Sequence, residues 1–252
     1  MRKRFPCVHR IFLLKFKTPD FLENVENPVA GELALRFHYP ETIIVGIDEV
    51  GRGPLAGPVV ACAAVLRNPE MTHGLNDSKK LTKVKREAIF ESVKEACLCY
   101  AIASASVEEI DSMNILAANF LAMRRALTAL GFKGLSAPPA EMPVEYAGAF
   151  PEGTALLLAV DGNLKIAGVS PELQLPIIKG DGRIASISAA SILAKVYRDR
   201  HMETLAEKYP GYGFEIHAGY GTKSHLEAIR KLGLSPAHRK SFHPKALQVE
   251  LF

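Results

Sequence analysis

Short apolar runs, rich in β-branched residues and bounded by glycine or proline, alternate along the chain with longer amphipathic segments. Such runs are typical of buried strands. They predict strands over 43–48, 59–66, 97–107, 156–160 and 175–178. Apolar residues that recur every three or four positions are typical of helices with one buried face. They predict helices over 82–94, 107–130, 184–208 and 223–232. Strands and helices mixed in this order indicate an α/β fold.

Two stretches of the chain show neither the strand pattern nor the helix pattern. Residues 1–40 are expected to form an N-terminal extension without regular structure. Residues 133–153 hold four prolines and three glycines and predict a long loop or insertion. The pattern therefore divides the chain into the extension, an α/β domain over 41–208 and a small helical C-terminal segment over 209–252.

Composition and charge narrow the class of protein. Of the 252 residues, 48% are hydrophobic and 23% charged, as in ordinary soluble globular proteins. No apolar stretch approaches the roughly 20 residues that span a bilayer, so we do not expect a membrane protein. The net charge of +4 permits a polyanionic partner without demonstrating one. The four cysteines have no metal-ligand spacing and suggest no disulfide framework, which indicates a reducing compartment, the cytoplasm.

Three apolar runs end in acidic residues beside or near glycine. The first ends in Asp48 and Glu49, the second in Asp161, and the third leads to Asp181. Strands of a twisted sheet bring their ends together, so these acids are expected to converge. Because Asp-Gly is itself a strong turn signal, three unrelated strand-end turns are the alternative.

Converging carboxylates repel one another unless a divalent cation neutralises them. Oxygen ligands without cysteine or paired histidine favour Mg²⁺ or Mn²⁺ over zinc. Two such ions are a recurring arrangement for in-line phosphodiester displacement. The acids therefore predict metal-dependent phosphoryl transfer. Neighbours in a strand face opposite sides, so Asp48 and Glu49 reach one site only if the strand ends or twists at Glu49, which the following glycines allow.

Several segments, taken in order, resemble the motifs of the ribonuclease HII family. They are DEVGRGPLAGPV at 48–59, NDSKKL at 76–81, VDG at 160–162, KGD at 179–181, the small-residue segment 185–196 with RDR at 198–200, and GYGT at 219–222. The resemblance covers roughly residues 43–245. It implies an RNase H-like five-stranded mixed sheet flanked by helices, with a helical C-terminal segment. It also implies a monomeric, metal-dependent endonuclease that cleaves the RNA strand of RNA–DNA hybrids and cuts 5′ to single ribonucleotides in duplex DNA.

The same resemblance assigns roles to individual residues. The catalytic and metal-binding acids are Asp48, Glu49, Asp161 and Asp181, with Mn²⁺ or Mg²⁺ as cofactor. The substrate-binding residues are Gly51, Arg52, Gly53, Lys79, Lys80 and Tyr220. The Gly-Arg-Gly segment would detect the ribose 2′-hydroxyl from the minor groove, the lysines would bind phosphates, and Tyr220 would pack on the deoxyribose 3′ to the ribonucleotide.

Other polar residues keep two interpretations. Lys195, Arg198 and Arg200 are either phosphate contacts or part of a surface ion-pair face. Arg239, Lys240 and Lys245 predict a basic face suited to the DNA backbone. His217 and His225 bracket the Tyr220 loop and are either structural or phosphate contacts. The serines in 185–196 permit close helix–sheet packing or, at a helix N-terminus, phosphate binding.

Two rivals and one partner remain open at this point. Ribonuclease HIII is the enzymatic rival; a long N-terminal domain is not seen and the Gly-Arg-Gly segment fits the type II form. The second rival is a hybrid-binding module without metals. The presence of all four acids argues against it. The C-terminal peptide 248–252 ends in one aromatic, and its docking to a sliding clamp stays an alternative.

Overall fold

The structure, a computed structural model, describes residues 22, 25, 27–72, 82–135, 137–139, 144–151 and 153–242. The NDSKKL motif with Lys79 and Lys80, and the C-terminal residues from 243 onward, lie outside the described residues. Within the described part, no helix is both long enough and apolar enough to cross a membrane.

Strands and helices alternate along the described chain. The strands are β1 Thr42–Val50, β2 Val59–Leu66, β3 Cys97–Ala105, β4 Glu145–Ala147, β5 Ala155–Asp161 and β6 Gln174–Ile177. The helices are α1 Pro28–His38, α2 Lys83–Ala96, α3 Val107–Met113, α4 Ile115–Ala129, α5 Ala185–Lys208, α6 Phe214–His217 and α7 Lys223–Leu232.

One mixed sheet organises the described residues. Its six strands lie in the order β4-β3-β2-β1-β5-β6, so that β1 is central. The strand β1 runs antiparallel to β2 and parallel to β5. Apolar clusters cover both faces: α3 and α4 pack on one face, and α2 and α5 pack on the other. The α/β fold with a helical C-terminal segment is therefore confirmed, with six strands rather than five.

The helix α5 packs unusually closely against the central strand. A Cβ added to Gly46 of β1 would lie 2.1 Å from the carbonyl carbon of Ser186, so only glycine fits there. Ser186 and Ser188 in the first turns of α5 are fully buried. The close-packing interpretation of the small residues is thus supported, and it places the start of α5 directly behind the acid-bearing end of β1.

The helix α1 caps α5 from outside. The N-cap residue of α5, Ile184, has no side chain that can accept a hydrogen bond. Instead, the buried carboxylate of Glu32 accepts hydrogen bonds from the Ser186 N–H at 3.2 Å and from the Ser186 hydroxyl at 2.7 Å. Glu32 also forms an ion pair with Arg36 at 3.2 Å. The segment expected to lack regular structure therefore contains a helix that completes the first turn of α5.

Three further boundaries differ from the sequence-based expectation. The long helix predicted over 107–130 is divided at Asn114, which has φ +74° and whose side chain accepts hydrogen bonds from the N–H groups of Leu116 and Ala117. The expected loop over 133–153 contains the short strand β4, which pairs with β3. The third strand ends at Ala105, because Ser106 begins α3 with a capping box that it forms with Glu109.

Candidate active site

Two aspartates meet at the end of the central strand pair. In the parallel register of β1 and β5, Ile47 lies opposite Val160, so Asp48 and Asp161 follow side by side. Asp48 is only 4% exposed. Its burial, together with the negative charges of Asp161 and Glu49, raises the pKa of Asp48 well above its usual range. Hydrogen bonds from Ser191 and from the Glu49 N–H, the latter at 2.7 Å, act in the opposite direction on this pKa.

The fourth acid lies on the loop that follows β6. The N–H of Gly180 donates to Asp161 Oδ1 at 2.7 Å, which binds this loop to the end of β5. The next residue, Asp181, is 3% exposed and accepts a hydrogen bond from the Gly182 N–H at 3.1 Å. The preceding Lys179 takes the left-handed conformation, with φ +55°. The structure thus places Asp181 next to the residue that holds Asp161.

Glu49 contacts an arginine side chain. Its Oε1 atom lies 3.2 Å from the Arg52 Nη1 atom, although its charge still acts on Asp48. In this arrangement the described residues do not contain a group of three or more carboxylate, imidazole or thiolate side chains that could hold one metal ion. In this structure the Glu49 carboxylate is thus paired with Arg52.

The chemistry of the donor set nevertheless fits a divalent cation. Each of the four side chains offers only carboxylate oxygens, the ligands that Mg²⁺ and Mn²⁺ prefer. Burial and, to a lesser extent, the negative charges of Asp161 and Glu49 raise the pKa of Asp48, and the positive charge of a bound cation would act against both.

The Gly51–Gly53 segment and Tyr220 lie against each other beside these acids. A Cβ on Gly53 would lie 3.6 Å from the Tyr220 Cε1 atom. The Leu55 N–H donates to the Gly219 carbonyl at 2.8 Å, which joins the two loops. Tyr220 is 45% exposed, so part of this residue is accessible to a ligand.

Three histidines hold the Tyr220 loop from behind. His217 Nε2 lies 2.8 Å from the Tyr212 carbonyl, and His217 Nδ1 accepts from the Gly219 N–H at 3.2 Å. His225 Nδ1 lies 2.9 Å from the Tyr220 carbonyl, and His225 Nε2 lies 3.1 Å from His238 Nε2. The structural interpretation of His217 and His225 is therefore supported.

The contacts determine which ring nitrogen of each histidine carries a proton. A carbonyl only accepts, so His225 is protonated on Nδ1 and accepts on Nε2. His238 then donates from Nε2, and its Nδ1 accepts from the Ser235 N–H at 2.9 Å. Burial lowers the pKa of His225 and lowers that of His238 to about 4. His225 and His238 are thus neutral at pH 7.

The cationic side chains of α5 differ in burial and in their contacts. Lys195 contacts Asp199 at 2.6 Å, and Arg200 contacts Glu87 at 2.6 Å while stacking over the Phe90 ring. These two side chains form the ion-pair face. Arg198, in contrast, is fully buried and is neither a surface ion-pair residue nor an exposed phosphate contact.

The predicted basic face of the C-terminal segment is wrong for Arg239. This side chain is 1% exposed and its guanidinium donates to the carbonyls of Gly51, Arg52 and Gly57. Lys240 is exposed, as expected, and Lys245 lies outside the described residues. Residue type alone does not distinguish a buried arginine from a surface one, so the sequence carried no signal for the role of Arg198 or Arg239.

Comparisons with known proteins agree with this geometry. The model of the ribonuclease HII family matches residues 45–137 and 158–245, more than two thirds of the chain. Ribonuclease HII of Delftia acidovorans is 47% identical over 225 residues, which cover 89% of this chain and 86% of that protein. The ribonuclease H2 from Pyrococcus horikoshii OT3 is similar with a TM-score of 0.58 and 27% identity, covering 81% of this chain and 95% of that chain.

A further solved structure shares the fold. The ribonuclease HII of Archaeoglobus fulgidus, solved in a complex with PCNA, has a TM-score of 0.62 at 23% identity and covers 81% of this chain and 96% of that chain. The family match, the identity to the Delftia protein and the arrangement of the strands lead to the same assignment. The chain belongs to the ribonuclease HII family of metal-dependent endonucleases, which act on RNA–DNA hybrids.

Proposed function

We propose that this protein cuts duplex DNA on the 5′ side of embedded single ribonucleotides, besides hydrolysing the RNA strand of hybrids, and leaves 5′-phosphate and 3′-hydroxyl ends. The observation that carries this proposal is the proximity of Gly53 to the half-exposed Tyr220 ring next to the carboxylates, where a Cβ added to Gly53 would lie 3.6 Å from Tyr220 Cε1. A segment able to approach a ribose and an aromatic platform for the next sugar stand side by side there, so a single site can inspect an RNA-to-DNA junction.

Asp48, Glu49, Asp161 and Asp181 are proposed to hold two divalent cations, Mn²⁺ or Mg²⁺. When bound, such ions activate water and stabilise the leaving oxygen of a phosphodiester. The protein orients the acids with its own donors: the Glu49 N–H and Ser191 hold Asp48, and the Gly180 N–H holds Asp161. These hydrogen bonds keep the carboxylates in place on rigid strand ends.

Substrate recognition is proposed to use the exposed Arg52 and Gly53 together with Gly51. Backbone groups of this segment and the Arg52 side chain would contact the 2′-hydroxyl, which is the group that distinguishes RNA from DNA. Because Arg52 binds Glu49 at 3.2 Å, its engagement with substrate would release Glu49 toward the aspartates. Lys79 and Lys80 are proposed phosphate contacts on the strength of the NDSKKL motif alone.

The test is cleavage of a DNA duplex with one ribonucleotide, in Mn²⁺ or Mg²⁺, by the wild type and by Asp161→Asn. We expect a single nick 5′ to the ribonucleotide, and a loss of at least about 100-fold in rate for the variant, because one ligand of the charge-stabilising site is removed. Glu207→Gln makes the same carboxylate-to-amide change at an exposed position of α5 and should leave the rate unchanged.

Each alternative outcome has a distinct meaning. A duplex that is bound but remains intact with either metal would favour a hybrid-binding module. Cleavage of long hybrids alone would retain the proposed metal site but contradict the junction-reading role of Tyr220.

Partners beyond nucleic acid are tested separately. The Archaeoglobus fulgidus protein was solved with PCNA, which supports clamp docking through residues 248–252 as a proposal for this chain. Mixing the protein with a sliding clamp in size-exclusion chromatography, with and without the last five residues, tests it: co-elution that survives the truncation would contradict the assigned peptide. We also propose that the protein works as a monomer in the cytoplasm.

A further inference from the structure

The loop between β1 and β2 is held from below by two buried arginines. Arg198 donates to the carbonyls of Pro58 at 3.0 Å, Ala56 at 3.1 Å and Ala218 at 3.0 Å. Arg239 donates to the carbonyls of Gly57 at 2.9 Å, Arg52 at 3.0 Å and Gly51 at 2.5 Å. We refer to Arg198 and Arg239 together as the carbonyl clamp. It binds six carbonyls, five of them in the 51–58 loop and the sixth immediately before the Tyr220 loop.

Arg239 determines the direction in which the loop presents its amides. The peptide bonds are trans and planar, so a carbonyl and the N–H of the same peptide point in opposite directions. With the carbonyls of Gly51 and Arg52 turned inward to Arg239, the N–H groups of Arg52 and Gly53 point outward, where both residues are exposed. Two consecutive outward donors of this kind form a concavity suited to an oxygen-rich ligand.

Arg198 explains the first glycine of the segment. Gly51 has φ +93°, and a Cβ on it would lie 2.3 Å from Arg198 Nε and 2.8 Å from the Pro58 carbonyl oxygen. A side chain at this position would therefore displace the guanidinium that joins the 51–58 loop to Ala218. The glycine is needed by the clamp underneath the loop, in addition to any close approach of substrate above it.

Burial of the two guanidiniums is costly, which indicates that they do more than fill space. Among the described residues neither forms an ion pair, and backbone carbonyls are their hydrogen-bond acceptors. Burial lowers the pKa of Arg198 to about 10, and burial together with the charge of Arg198 lowers that of Arg239 to about 9. Both remain charged at pH 7, so two positive charges stand beneath the loop that would face the phosphate backbone.

We propose that Arg198 and Arg239 are positioning residues for ribonucleotide recognition. They fix the outward amides of Arg52 and Gly53 at a set distance from Tyr220, so that these amides and the Tyr220 ring contact the same RNA-to-DNA junction. This inference rests on the proposed function. It predicts that weakening the clamp reduces discrimination between RNA-containing and all-DNA duplexes more than it reduces the chemical step.

Lysine is the informative replacement because it keeps the charge but loses the planar fork, and one ammonium cannot reproduce three fixed carbonyl contacts. Arg125 provides a matched control. It is also a buried arginine that donates to backbone carbonyls, those of Ser104, Pro138 and Pro139. Among the described residues, and unlike the arginines of the carbonyl clamp, it also forms an ion pair, with Glu109 at 2.6 Å, but none of its partners belongs to the 51–58 or Tyr220 loops. Arg125→Lys should reduce the melting temperature without affecting discrimination.

The first measurement needs no catalysis. In an Asp161→Asn background, fluorescence anisotropy gives the Kd for a duplex with one ribonucleotide and for the same duplex in all-DNA form. We expect Arg239→Lys to reduce the ratio of these constants by about tenfold or more, since a displacement of about 1 Å can cost a factor of about 100 in a positioned site. Arg125→Lys should leave the ratio unchanged.

The second measurement is kinetic and uses protein in which Asp161 is intact. Arg239→Lys should raise KM for the ribonucleotide-containing duplex by about tenfold while kcat changes by less than about threefold, because the carboxylates are not part of the clamp. A folded Arg239→Lys protein that keeps the full ratio and KM would overturn the inference. If Arg239→Lys does not fold, Arg198→Lys decides by the same criterion. Absence of discrimination with both arginines intact would instead refute the proposed function itself, and the clamp's role with it.

Discussion

Glu32 offers the sharpest test of how the chain holds its longest helix in place. This buried carboxylate accepts two hydrogen bonds from Ser186, whose N–H and hydroxyl are also buried. Replacing Glu32 by alanine leaves both donors without their acceptor. Each such loss costs about 1–3 kcal/mol, whereas Arg36 keeps the Leu66 carbonyl at 2.8 Å and is not stranded.

We therefore expect Glu32→Ala to lower the free energy of unfolding by about 3 kcal/mol. The expectation for Glu32→Gln is smaller, about 1 kcal/mol. Burial raises the pKa of Glu32 despite its partners, so the negative charge itself is not what the fold favours, and an amide oxygen still accepts one hydrogen bond. Glu95→Ala, an exposed position of α2, is the control and should stay within about 0.5 kcal/mol of the wild type.

Equilibrium unfolding in urea measures these differences as shifts in the transition midpoint at constant slope. A cycle with Ser186→Ala adds the pairwise contribution, for which we expect a coupling of about 1–2 kcal/mol. A Glu32→Ala protein as stable as the Glu95→Ala control would show that water satisfies Ser186, and that α1 does not cap α5.

Two further changes probe the packing that supports the site. Gly46→Ala should destabilise the fold by more than about 3 kcal/mol or prevent folding, because its Cβ would overlap the Ser186 backbone; a normal melting temperature would contradict the close packing of β1 and α5. Acidification should destabilise the wild type more than His238→Gln. The pKa of His238 is lowered from 6.5 to about 4 in the folded protein, so its contribution is complete above pH 6.5 and is lost as the pH falls toward 4. The difference in unfolding free energy between the two proteins should change by about 3 kcal/mol across that window, and parallel stability–pH curves would disprove the assignment.

The sequence anticipated the elements whose side chains follow a simple period. The strand over 59–66 and the helix over 223–232 were predicted to the residue. The helix α1 was missed because its buried face includes Gly31 and Glu32, and a buried glycine and acid interrupt the apolar period on which the prediction depends. The strand β4 has three residues, too few for any alternation to be recognised.

The sequence predicted the part of the candidate site in which strand ends carry acids. It did not predict the contacts that depend on the course of the backbone. Asp48 and Asp161 are adjacent because parallel strands end together, which the pattern implies. The contact between Glu49 and Arg52 depends on how the chain turns after β1. The carbonyl clamp of Arg198 and Arg239 depends on the positions of backbone carbonyls. A sequence does not specify these positions until the conformation of the turn is known.

The order of the strands has a consequence for how this molecule behaves beside other copies of itself. The two edges of the sheet are β4, with three residues, and β6, with four. Pro176 removes one amide donor from β6, and β4 carries Glu145, which lies 3.2 Å from Lys94. Short edges, proline and charge are the features that prevent a sheet from recruiting strands of a neighbouring chain. The long apolar strands β2 and β1, which would aggregate readily if exposed, are thereby kept in the interior of the sheet, out of reach of edge-to-edge pairing.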